Sequence, residues 1–180
     1  MQYIQTNINF VAGLLTLISN IIFVLVVLSM FIKDFRLKIY SLVEKSINPI
    51  LFLLSGVAVV GSLIYSEIVG FPPCDLCWIQ RIFIFPIPII ALVAWIKGDR
   101  RVVDYILPLS IIGGIVAFYQ SLIQWGFNTS VLNCTAEGAE CAKVYVLEMG
   151  YVTIPFMALS VFVYIATVCI LYYKSSKMSK

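Results

Sequence analysis

The sequence predicts an all-α integral membrane protein with five spans. Three observations carry this: the apolar excess, the length of the apolar runs and the one-sided placement of the basic residues. Of 180 residues, 62% are hydrophobic and 12% charged, and the mean hydropathy is +1.03. Soluble domains carry about 45–50% apolar and about 25% charged residues, so a water-soluble fold of this length could not hide the surplus. A bilayer-crossing helix needs about 20 mostly apolar residues. Runs of that kind lie at residues 9–32, 49–69, 78–96, 105–125 and 151–173. What remains is short connections and tails, with no stretch left for a separate soluble domain.

The first run is longer than the 7–15-residue core of a cleaved signal, and residues 1–8 carry no basic residue. Its cations follow it: Lys33, Arg36, Lys38 and Lys45. A retained helix with its N-terminus outside is expected. Lys97, Arg100 and Arg101 follow the third run, and Lys174, Lys177 and Lys180 follow the fifth. If the spans alternate, ten of the twelve basic residues share one side, and only Arg81 and Lys143 lie toward the other. The positive-inside rule makes the basic side cytoplasmic. The expected localisation is therefore the plasma (inner) membrane, multi-pass, with the C-terminus cytoplasmic and residues 70–77 and 126–150 extracytoplasmic. The net charge of +3 is used up by this topology, so no nucleic-acid partner is expected.

Within the runs, Pro86 and Pro88 predict a kink in the third span that neighbouring helices accommodate. Gly113-Gly114 in the fourth predicts close helix packing. Glu67 lies near the outer end of the second span, as an interfacial carboxylate or a partner of Arg81. Glu137 and Glu140 are expected in solvent.

Four of the five cysteines fall on the expected outer face, although the charge rule that set the topology never used cysteine. Cys74 and Cys77 form a Cys-x-x-Cys in one outer loop, and Cys134 and Cys141 lie in the other. Disulfides persist on that side of a membrane. The residues alone leave three readings open: structural staples, a four-cysteine zinc site, or thiol exchange. No metal is expected, because an oxidising face competes for the thiols and the chain has no histidine. Cys169, inside the last span, reads as a buried small hydrophobe.

The Cys-x-x-Cys favours exchange. Pro72-Pro73 forbids helix just before it, so the third span begins near the cysteines. A helix N-terminus carries free N–H groups and partial positive charge, which lower a thiol's pKa. Arg81 lies four residues after Cys77, one turn away on the same helix face. A cation in the first turns opposes the helix dipole, so local stability does not explain it. It suits a thiolate, or the anion forming on an adjacent electron acceptor. Trp78 reads as an interfacial anchor. Two outer cysteine pairs and a cation at the membrane edge suggest a relay from soluble thiols to an acceptor in the bilayer. With no dinucleotide fingerprint and no histidine for haem, a lipid-soluble quinone is the acceptor needing fewest assumptions.

Cys74-Asp75-Leu76-Cys77-Trp78-Ile79-Gln80-Arg81 resembles the Cys-x-x-Cys-x-x-x-Arg signature of the disulfide bond formation protein B family (DsbB, with its shorter BdbC-type branch). Thr153-Ile154-Pro155 resembles that branch's approach to its final helix. The resemblance covers residues from about 46 to 173. It implies a four-helix transmembrane bundle plus one extra N-terminal transmembrane helix. Residues 46–180 would be the thiol:quinone oxidoreductase domain, and 1–45 the added helix with a basic cytoplasmic connector. The implied partner is an extracytoplasmic thioredoxin-fold (DsbA-like) thiol oxidase, and the implied cofactor is ubiquinone or menaquinone. Cys134 and Cys141 would form the loop disulfide that the partner attacks. Cys74 and Cys77 would be the pair next to quinone, with Cys77 nearest the ring, and Arg81 would be the quinone-site arginine. Gln120 is expected to make a helix–helix hydrogen bond rather than a quinone contact. Two features depart from the pattern. The loop cysteines are only seven residues apart, and the extra span has no reactive residues, which favours a lipid-facing anchor.

Two competing functions make different demands. A quinone reductase similar to vitamin K epoxide reductase would carry its Cys-x-x-Cys in a late span, not at the start of an early one. A membrane protein with merely stapled loops would have disulfides inert to mild dithiols.

Overall fold

The computed structural model describes residues 2–127 and 141–178, with side chains from residue 5 to 177. Cys134, Glu137 and Glu140 lie outside the described residues. The chain is all-helical: α1 (Gln2–Ser29), α2 (Lys33–Leu63) running into a π-helical turn (Ile64–Ile68), α3 (Asp75–Ile84), α4 (Pro86–Lys97), α5 (Val103–Gln124) and α6 (Ile154–Met178). Among the described residues the only extended pairing is an isolated bridge between Glu148 and Val152. Among the described residues, five helical segments are long and apolar enough to cross a membrane: Gln5–Ser29, Lys33–Ile68, Asp75–Lys97, Val103–Gln124 and Ile154–Lys177. The protein is thus a multi-pass, all-α membrane protein.

Four of those segments close into a ring. α6 packs on α5 and on α2, α4 packs on α2, and α3 packs on α5. The core runs along the ring's axis through Leu51, Ile87, Ile106, Ala117, Phe162 and Cys169. Lipid does not drive helices together as water does, so close packing and internally satisfied polar groups must hold the ring. Gly113 supplies the first: the Phe162 ring occupies the place a Cβ would take. Buried serines supply the second, for Ser55, Ser110 and Ser160 each donate to the carbonyl four residues back in their own helix. α1 stands outside the ring and meets it along α6. Only 6% of its apolar window is buried, against 33% for α5 and α6.

One segment differs from the sequence reading. Residues 33–45, expected as a connector, are the opening turns of α2. They dock on the C-terminal end of α6, where Ser175 Oγ donates to Glu44 Oε2 at 3.0 Å. The separation from the second span survives as a kink at Ser46 (φ −122°, ψ 26°). Pro49 causes it, because proline has no N–H to give and its ring crowds the carbonyl four residues back. The third span is broken at Phe85, as Pro86 and Pro88 predict, into α3 and α4. Its last bond before the prolines, Phe85 N–H to Arg81 O, is kept at 2.9 Å.

Candidate functional site

Three irregular backbone features converge at one end of the ring. The π-turn closes α2, residues 70–73 are non-helical, and α3 starts at Asp75 with Cys74 as its extended N-cap residue (φ −77°, ψ 171°). The prolines set this up, since Pro72 and Pro73 cannot continue a helix and leave Cys74 to start one. Cys74 O accepts the first helical bond from Trp78 N–H at 3.0 Å, while its side chain caps nothing. The sulfur is therefore free to face the interior beside the unbonded N–H groups of the first turn.

Cys74 and Cys77 Sγ lie 3.1 Å apart. Cys74 is buried, whereas Cys77 is partly exposed. An amide from the neighbouring helix covers the pair. Gln120, 1% exposed, directs Nε2 at Cys74 Sγ (3.1 Å) and Cys77 Sγ (3.4 Å). Its orientation is set by Gln80, also buried, whose Nε2 donates to Gln120 Oε1 at 2.6 Å. An amide that gives its oxygen to one partner must present its N–H groups to the other. Donors pointed at sulfur favour the thiolate over the thiol. Cys74 itself is pushed up from the ordinary thiol value, first by its hydrogen bond with Cys77 and then by burial.

Arg81 lies one turn beyond Cys77 and is tied to α2. Its Nε donates to Ser62 Oγ and its Nη2 to Ser62 O, both at 3.1 Å. The guanidinium lies over the Trp78 ring at 5.2 Å and the Phe85 ring at 5.8 Å. Trp78, 55% exposed, thus supports the cation as well as facing outward. Glu67 takes a different partner, accepting from Ser66 Oγ at 2.9 Å.

Cys141, 3% exposed, joins the site from the α5–α6 connection. It packs with Cys74 and Leu76 against Cys77, Val116, Tyr119 and Ile123. Aromatic stacking holds the two cysteine-bearing segments together. Phe71, three residues before Cys74, stacks on Tyr145, four residues after Cys141, at 4.8 Å. Gln124 Nε2 donates to Lys143 O at 3.1 Å and fastens the same segment to the end of α5. Cys169 is fully buried in the main core, among the central apolar residues of the ring.

Of the residues singled out in the sequence, the structure brings Cys74, Cys77, Arg81 and Cys141 to one end, and Cys134 lies outside the described residues. Gln120 makes the expected helix–helix bond and also touches both sulfurs, which the sequence reading did not assign to it. Gln80 and Ser62 were missed. Gln80 had a signal, a polar side chain three residues from Cys77 inside an apolar run; Ser62 had none.

Comparison with known proteins agrees with this chemistry. The profile of the family described as Disulfide bond formation protein DsbB matches residues 44–172, a stretch that contains every residue of the site. The SPbeta prophage-derived disulfide bond formation protein B of Bacillus subtilis (strain 168) is 46% identical over 114 residues, covering 63% of this chain and 76% of that protein. Disulfide bond formation protein C of the same organism is 39% identical over 123 residues, covering 66% and 89%. Probable disulfide formation protein C 2 of Bacillus anthracis is 33% identical over 140 residues, covering 78% and 98%. No solved structure matches the chain. With Cys74, Cys77 and Cys141 gathered at one end of a ring of membrane-length helices, the chain belongs to the DsbB family of disulfide bond formation proteins, which act in thiol oxidation at the membrane.

Proposed function

We propose that the protein is a protein-dithiol:quinone oxidoreductase that reoxidises an extracytoplasmic thioredoxin-fold thiol oxidase. The supporting observation is the asymmetry of the sulfur pair. Cys74 is buried against Cys141, whereas Cys77 is partly exposed and one turn from the tethered Arg81. Electrons enter on the first side and leave on the second.

In this reading a partner thiolate attacks the Cys134–Cys141 disulfide at Cys134, because Cys141 is enclosed. Cys141 leaves as a thiolate and attacks Cys74, breaking the Cys74–Cys77 bond and releasing Cys77 as a thiolate. The partner's second thiol then resolves its mixed disulfide, so the partner leaves oxidised. Gln120 donates to the sulfurs while charge moves between them, held in that orientation by Gln80. Arg81, unable to lose its proton, keeps positive charge beside the exit. The residues fit a quinone there: a fixed cation, flanking Trp78 and Phe85 rings, and a partly exposed sulfur. A bound quinone supplies the two-electron, two-proton sink. As the electrons leave, Cys74 bonds again to Cys77 and Cys141 returns to Cys134, which restores both disulfides.

The basic residues support an orientation with the cysteines extracytoplasmic and the C-terminus cytoplasmic. The test is purified protein in detergent with a reduced thioredoxin-fold dithiol and a water-soluble quinone. Quinone absorbance should fall in step with dithiol oxidation. Dithiol consumed while the quinone stays oxidised would sink the proposal.

A further inference from the structure

We infer that the added N-terminal helix is a positioning element for thiol exchange: α1 clamps the Cys141-bearing segment against the Cys74 segment. This rests on the two-pair relay proposed above. α1 has no reactive side chain, and most of it faces away from the ring. Its contacts near the site are selective. Ile8 and Ala12 pack on a small cluster of Tyr65, Val69 and Val146, which Phe71 and Tyr145 also join. Gln5 Nε2 donates to Val69 O at 3.1 Å, at the end of the π-turn. The cluster therefore contains the aromatic stack that joins the two cysteine-bearing segments, and α1 closes it.

Gly13 shows how close the approach is. A Cβ there would stand 2.7 Å from Glu148 Cβ and 3.0 Å from its Cγ, and real carbon pairs do not come so near. Any side chain at position 13 must push α1 or the 146–148 segment away. The Glu148–Val152 bridge makes that segment stiff, with Glu148 N–H donating to Val152 O at 3.0 Å, so displacement passes along it. Further along α1, Tyr164 OH donates to Asn20 Oδ1 at 2.7 Å, and Phe23 lies 4.7 Å from the Tyr164 ring. These contacts fix the helix to α6 and leave Gly13 little freedom to yield.

The experiment uses the full chain carrying Cys77→Ser and Cys134→Ser, so that Cys74 and Cys141 are the thiols left at the site. Diamide joins them by taking two electrons and two protons, which needs no quinone. Gly13→Leu should slow this cross-link by about tenfold, since even an ångström of misplacement is costly for an oriented reaction. Adding Glu148→Gly, which clears both contacting carbons, should restore most of the rate. In a second background, Cys134→Ser with Cys141→Ser, dithiothreitol reduces Cys74–Cys77 directly, and there Gly13→Leu should leave quinone reduction unchanged. Equal cross-linking with and without Gly13→Leu overturns the inference. So does a loss of both readouts that the milder Gly13→Ala does not separate. If no background reduces quinone, the proposed function fails, and the cross-linking rates still decide the role of α1.

Discussion

The middle of the ring of helices and its cysteine end use polar groups in opposite ways. Through the packed middle, buried hydroxyls bond back to their own helix and Cys169 is enclosed by apolar side chains. At the cysteine end, buried amides reach between helices and point at sulfur. Three backbone irregularities also gather at the cysteine end, the π-turn, the non-helical residues 70–73 and the start of α3, while α2 kinks at Ser46 toward the other end. A polar group satisfied within its own helix stabilises and does nothing further. One held between helices can be aimed, and aiming depends on the neighbouring helix staying in place.

Substitutions should therefore separate chemistry at the cysteine end from stability in the packed middle. The largest effect expected is from Cys77→Ser, which removes the exit sulfur and should abolish quinone reduction, read as loss of the absorbance change. Cys169→Ser should leave that rate intact, although the two cysteines are the same residue type in the same bundle. Next, Arg81→Met should lower quinone turnover by about 10²–10³-fold, the scale for deleting a charge-stabilising donor. Arg81→Lys should recover only part of it, because an ammonium cannot reproduce the fork to Ser62. Gln120→Leu should slow turnover by about tenfold, the equivalent of roughly 1.4 kcal/mol, as the sulfurs lose their amide donor. Gln80→Leu should do less, since Gln120 stays but is free to turn. The smallest effect on chemistry belongs to Gly113→Val. It should cost about 1–3 kcal/mol of stability by displacing Phe162, read as a lowered unfolding midpoint in detergent, with turnover at low temperature unchanged. If Gly113→Val instead slows turnover while the midpoint holds, the division between the packed middle and the cysteine end is wrong.

α1 sharpens the same contrast. Its composition reads as a lipid-facing anchor, and little of its apolar window is buried. Its few close contacts near the site nonetheless fall on the cluster that joins the two cysteine-bearing segments.

Composition and spacing determined much about this protein. Apolar runs of bilayer length mark the spans, because in lipid only an internally hydrogen-bonded helix can cross. Cys74, Cys77 and Arg81 were legible together, because neighbours in sequence on one helix have a known geometry. Pro86 and Gly113 announced a break and a close contact, and both are present. Only the tertiary structure decided which distant groups meet: Gln120 on both sulfurs, Gln80 holding Gln120, Ser62 holding Arg81, Cys141 against Cys74, and Gly13 against Glu148. Helical periodicity says which residues share a face. The rotation and depth at which one helix meets another are set by side-chain packing, and no local pattern encodes them.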